Sequence, residues 1–112
     1  MIADKDMVIV TYITGKIKEI LGEDLHKVIL FGSRARGESE PESDFDFVIL
    51  ADFEEPSWPK RSIKIGAHVL AEETFRVSVD YVPVTEWEFE NKFLLRNSVK
   101  EEGVVLYDRG HS

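Results

Sequence analysis

Two short runs, "KVILF" at 27–31 and "DFVIL" at 46–50, limit the possible folds more than anything else in this chain. A strand with one wet face alternates apolar and polar residues. These runs are apolar on successive residues, as expected of strands covered on both faces. The segments around them read as the cover. Val8, Ile9, Tyr12, Ile13, Ile17 and Ile20 recur at helical spacing, which predicts an amphipathic helix over residues 7–21 that stops at Gly22. "EEPSWP" reads as a loop because its two prolines break regular structure. "KRSIKIGAHVLAEE" reads as a helix with Ile63, Ala67 and Leu70 on one face.

"FRVSVDYVPV" alternates like a half-buried strand. Phe75, Val77, Val79 and Tyr81 share one face, and Arg76, Ser78, Asp80 and Val82 the other. Thr85 and Glu88 form a capping-box pattern that opens a helix to about Lys100, with Trp87, Phe89 and Phe93 as its apolar face. Gly103 then marks a stop, and "VVLYD" is a last strand. The order αβαβαβαβ predicts an α/β fold: a small mixed β-sheet flanked by helices, in one domain over residues 1–112. The short central connections favour a mixed sheet over a parallel one.

Composition removes several functions. With no cysteine there are no disulfides, thiolate zinc sites or cysteine nucleophile. A net charge of −8 disfavours a nucleic-acid partner, which calls for a basic stripe. The N-terminus "MIADKDMVIV" has no basic n-region and no run is long enough to span a bilayer, so a cytoplasmic protein without a membrane partner is expected.

The chemistry lies in "FGSRARGESEPESDFDFVIL", residues 31–50. "GSRARGES" has the glycine spacing of a P-loop, but Glu38 occupies the lysine position, where it repels phosphate. A different arrangement fits better. Gly32 lets the chain turn sharply at the strand end, and Ser33 is expected to cap a short helix whose free amides attract an anion. Asp44 and Asp46 are two apart in a strand, hence on one face and ~7 Å apart along it. Asp80 sits on the less apolar face of another strand, and if the two strands are adjacent three carboxylates converge. Two bare carboxylates at ~4 Å repel by about 4 kcal/mol at an effective dielectric of ~20, so such a cluster implies a divalent cation. All-oxygen donors beside a phosphate point to magnesium, one ion or two.

Singly, these residues have plainer readings. Gly32 and Ser33 alone read as a strand-to-helix turn, and Asp44 alone as a partner for Arg36. Asp46 between Phe45 and Phe47, and Asp80 within "VSVDYVPV", are harder to place without a partner, because an unpaired charge in an apolar strand is costly.

The pattern G-S, ten residues, D-x-D and a later strand aspartate resembles the DNA polymerase beta-like nucleotidyltransferases. The fuller string is similar to their minimal nucleotidyltransferase (MNT) branch. The resemblance implies a palm-like nucleotidyltransferase fold. It implies that Gly32 and Ser33 hold the triphosphate of ATP, and that Asp44, Asp46 and Asp80 are the catalytic and Mg2+-binding residues, with Asp80 helping to deprotonate the attacking hydroxyl. Arg34 or Arg36 supports the phosphates or pairs with an aspartate; the residues leave that choice open, and Arg36 is taken as the nucleotide-binding candidate. The resemblance further implies transfer of AMP to a tyrosine hydroxyl of a HEPN-domain toxin, for which this chain is the antitoxin. Two other functions remain open: a non-catalytic module that neutralises its partner by occlusion, and transfer to a small hydroxylated molecule such as an aminoglycoside. Exposed helix faces leave a homodimer open too.

Other residues carry weaker signals. His26, His68 and His111 lack metal-ligand spacing and read as surface or helix-face residues. Trp58 reads as a packing anchor in a loop, Tyr107 as a strand tyrosine. Glu38, Glu40, Glu42, Glu54 and Glu55 read as solvated loop charge.

Overall fold

A computed structural model of the chain describes residues 1–110, so His111 lies outside the described residues. Helix α1 spans Asp4–Leu21, with Val10, Ile13 and Ile17 on its buried stripe. It begins earlier than the apolar period predicts, because Asp4 and Asp6 favour the positive end of a helix. A 3-10 turn at Gly22–Asp24 leads into strand β1, Leu25–Phe31. Helix α2 is the short Ser33–Arg36 and strand β2 is Phe45–Ala51. Helices α3 (Trp58–Val69) and α4 (Ala71–Phe75) precede strand β3, Val79–Val84. Helices α5 (Glu86–Asn91) and α6 (Arg96–Glu102) and strand β4 (Val104–Asp108) complete the chain.

The sheet order is β3-β2-β1-β4. β1 runs antiparallel to β2 and β4, whereas β2 and β3 are parallel, joined across the sheet by α3 and α4. The sheet is therefore mixed, as expected. Its two central strands are the two that read as continuously apolar. Val28, Leu30, Phe45, Phe47 and Ile49 pack on one face with Val10, Ile13 and Ile17 of α1 and Ile65 and Val69 of α3. Ile29, Val48, Leu50 and Val84 pack on the other with Phe89 of α5 and Val99 of α6. Each of these side chains contributes about 1.5–3 kcal/mol by leaving water.

Several expectations need correction. The predicted helix at 60–73 is two helices: α3 starts at Trp58, with Ser57 accepting the Lys60 amide and Pro59 in the first turn, and it breaks at left-handed Leu70. Proline in a first helical turn removes no hydrogen bond, so it need not mark a loop. The buried stripe of α3 is Arg61, Ile65 and Val69, while Ile63 is 71% exposed and Leu70 44%. Residues 75–78 are not strand; Phe75 ends α4 and Arg76 is left-handed. The helix predicted to run to Lys100 is α5 and α6, and Trp87 faces solvent at 62% exposure. Thr85 and Glu88 do form the capping box. Gly103 ends α6 through close approach: a Cβ there would stand 2.5 Å from the Val99 carbonyl oxygen and 2.6 Å from Ile29 Cγ2.

Candidate active site

The site forms where β2 meets both of its neighbours. In the antiparallel pair Asp46 lies opposite Phe31, so the residue after Phe31, Gly32, turns beside it. In the parallel pair Asp46 lies alongside Asp80. Both aspartates share the strand parity of Val48 and Val82, which places them on the face covered by α5 and α6, beyond that cover. Asp46 is half-buried there and Asp80 exposed.

The electrostatics follow from this placement. Asp46 is pushed up from 3.8 to about 6, first by burial, then by the charges of Asp80 and Asp44, and last by a hydrogen bond with the Asp80 carboxyl. Asp44 immediately precedes β2 and is exposed. The convergence of three carboxylates needs correction in detail. Among the described residues no group of three His, Asp or Glu side chains is arranged to hold a metal ion by itself. The structure shows an adjacent pair, Asp46 with Asp80, and Asp44 close enough to add repulsion. This donor set fits Mg2+, which takes one or two carboxylates and completes its shell with phosphate oxygens and water.

Gly32 is required by geometry. Its φ of 81° and ψ of −161° belong to a region that only glycine occupies freely. A Cβ there would stand 2.7 Å from Asp46 Oδ2. Ser33 does not cap α2 as expected; it is the first helical residue, and the Gly32 carbonyl accepts the Ala35 amide at 3.1 Å.

The two arginines take different parts. Arg34 is buried and its guanidinium is spoken for within the protein, as described below. Its acidic partner is Asp6 of α1, a residue the sequence pattern did not flag. The signal was available, since an aspartate one helical turn before buried Val10 invites a partner. Arg36 is exposed and pairs with Glu38 at 3.1 Å and Glu102 at 3.6 Å, not with Asp44.

The remaining residues lie elsewhere. His26, on β1 and not on a helix, sits between Asp52 at 3.2 Å and Glu86 at 3.0 Å. His68 is exposed on α3, 3.9 Å from Glu19. Trp58 opens α3 and is 38% exposed. Tyr107 is half-buried on β4 with Lys18 Nζ over its ring. Glu38, Glu40, Glu42, Glu54 and Glu55 are all exposed.

A glycine turn at a strand end, set against paired aspartates on the next two strands of a mixed sheet, is the arrangement expected from the resemblance to nucleotidyltransferases. The family model of the nucleotidyltransferase domain matches residues 14–106, and the chain belongs to that family. The chain is 32% identical over 87 residues, 75% of its length, to the protein adenylyltransferase MntA of Aphanizomenon flos-aquae. A second relative, from Methanocaldococcus jannaschii, is 35% identical over 72 residues. The chain spans about half the length of these curated relatives, 57% and 46% respectively. The fold matches a crystal structure from Sulfolobus solfataricus with a TM-score of 0.67 at 23% identity, covering 96% of this chain and 85% of that one. It also matches the crystal structure of a toxin-antitoxin with AMP-PNP, with a TM-score of 0.60 at 21% identity, covering 86% and 71%. Among the described residues no helix is long and apolar enough to cross a membrane.

Proposed function

We propose that this chain is a Mg2+-dependent nucleotidyltransferase that moves AMP from ATP to a tyrosine hydroxyl of a HEPN-domain toxin in the cytoplasm, and so serves as its antitoxin. The observation that carries the reading is the Asp46–Asp80 pair, in parallel register and next to the Gly32 turn. A structural role alone gives no reason to place two carboxylates side by side at the open end of a sheet face, since like charges side by side destabilise it. The name of the Aphanizomenon relative supports AMP transfer to a protein acceptor, and the toxin-antitoxin structures of the same fold support a toxin as partner.

In this reading Gly32 and Ser33 lie against the triphosphate, and Arg36 turns from its exposed acidic partners to the phosphate oxygens. Asp46 and Asp80 would hold Mg2+, with Asp44 close enough to join them, and the bound ion would neutralise charge on the phosphates and carboxylates. Asp80, the exposed member of the pair, takes the proton as the acceptor hydroxyl attacks the α-phosphorus. A new P–O bond forms, the bond to the bridging oxygen breaks, and pyrophosphate leaves. The protein contributes mainly positioning and charge.

The competing reading, neutralisation by occlusion, has its own observation: Trp87 is 62% exposed, Leu94 99% and Leu95 50%, on and just after α5. Intact mass spectrometry of the partner separates the two. The partner is incubated with this chain, Mg2+ and ATP, beside the double variant Asp44→Asn/Asp46→Asn. A gain of one or more AMP units with the unmutated chain alone establishes transfer. A stable complex with no mass gain establishes occlusion.

A further inference from the structure

We propose that Arg34 is a positioning residue that locks the Gly32–Ser33 turn to the segment that carries Asp44 into β2. Its guanidinium leaves no donor for a phosphate. Nε donates to the Ser43 carbonyl at 3.2 Å. Nη1 donates to the Asp6 carboxylate at 3.1 and 3.3 Å and to Ser39 Oγ at 3.2 Å. Nη2 donates to the carbonyls of Pro41 at 3.2 Å and Ser43 at 2.9 Å. All five N–H groups of the fork are thus engaged inside the protein. The guanidinium carbon also lies 4.3 Å from the ring centroid of Phe45, the residue between the two aspartates.

The placement gives these bonds their function. Arg34 follows Ser33 directly, and the Ser43 carbonyl it grips twice directly precedes Asp44. Strand pairing already sets Gly32 beside Asp46, whereas the loop of residues 37–44 between the turn and Asp44 has few bonds of its own beyond a turn from Glu40 to Ser43, so the position of Asp44 relative to the turn depends on this bridge. Asp6 balances the charge that burial would otherwise penalise, both side chains being about 4% exposed or less. Lysine cannot substitute, because a point charge with three donors lacks the planar fork that spans two carbonyls.

Two readouts on Arg34→Lys test the inference, with Arg61→Lys as the control. Arg61 is the other buried basic side chain, bonded to Glu88 and the Pro83 carbonyl at the end of β3 away from Asp80. The first readout is amide hydrogen exchange. Arg34→Lys should speed exchange over residues 38–46 at least tenfold and leave that of α3 and β4 unchanged, whereas Arg61→Lys should not alter 38–46. Unchanged exchange over 38–46 in Arg34→Lys, or equal acceleration throughout, overturns the inference. The second readout is AMP transfer, at a temperature where both variants remain folded. Arg34→Lys should lower kcat about 10- to 100-fold with little change in the acceptor KM, and Arg61→Lys should keep kcat within about threefold. Equal kcat losses in both variants, in step with lost thermal stability, reduce Arg34 to a structural residue. This arm rests on the transferase reading; if the unmutated chain transfers nothing, that reading fails and exchange alone decides the inference.

Discussion

Asp46 of β2 and Asp80 of β3 stand side by side in parallel register although both are acids, and burial with the neighbouring negative charge raises the Asp46 carboxyl to about 6. In mild acid Asp46 therefore keeps a proton. Near neutral pH the pair loses that proton and becomes a local source of repulsion, held in place by Phe45, Phe47 and Val79 buried in the core beneath. The arrangement costs stability at the site proposed for the chemistry.

The first prediction follows from the sign of that cost. The folded state binds the Asp46 proton more tightly than the unfolded chain, about 6 against 3.8. Its stabilisation is therefore full below pH 3.8 and lost as pH rises through about 6. Asp46→Asn removes the ionisation. The variant should be more stable than the unmutated chain at pH 7.5, by about 1–2 kcal/mol after solvent screening of a half-exposed group, and should match it near pH 4. Urea unfolding at both pH values checks this; a variant less stable at pH 7.5 removes the repulsion argument.

A cation should relieve the same strain. Mg2+ at ten times its Kd adds about 1.4 kcal/mol, which raises Tm by several degrees in a domain of this size. The rise should be present at pH 7.5 and largely absent at pH 5, where a proton occupies Asp46, and Asp46→Asn should reduce it. Differential scanning fluorimetry with Mg2+ provides the measurement, and a rise independent of both pH and Asp46 places the ion elsewhere.

Gly32→Ala should fail in two ways at once. The backbone conformation costs a non-glycine residue about 1–3 kcal/mol. The new methyl group also presses on Asp46 Oδ2. The expected result is a lower denaturation midpoint together with a loss of transfer of at least about 100-fold. Retained transfer would show that Asp46 does not need its present position.

Arg36→Ala should spare the fold and weaken the substrate. Its partners Glu38 and Glu102 are exposed, so stability should change by less than about 0.5 kcal/mol. Affinity for ATP should fall roughly tenfold, the effect of one charge-assisted contact. Unchanged affinity in a calorimetric titration takes Arg36 out of the nucleotide site.

Much of this architecture was legible in the sequence, for identifiable reasons. β1 and β2 announce themselves because strands buried on both faces cannot carry polar residues, so Asp46 within β2 stood out as a residue with a purpose. The capping box at Thr85–Glu88 was equally plain. The stripe of α3 was misread because its buried face includes Arg61, a charge whose bonds to Glu88 and to the Glu55 and Pro83 carbonyls cannot be seen in a hydropathy pattern. The break at Leu70 was hidden because no glycine or proline marks it. Arg34 and Asp6 form a pair across 28 residues, a relation that no local spacing encodes.

The parallel pairing of β2 with β3 sets a timetable for the nascent chain. β1 and β2 can meet early, as neighbours joined by residues 32–44 and the short α2, and they bring Gly32 to Asp46. Asp80 arrives only after α3 and α4 have been made and the chain has crossed the sheet, a closure whose entropy must be met before its contacts form. A ribosome-bound fragment ending before β3 thus carries the glycine turn and the first aspartates without the carboxylate that completes the pair. Such a chain can be recognisably folded in part while its proposed site still waits for β3 to emerge.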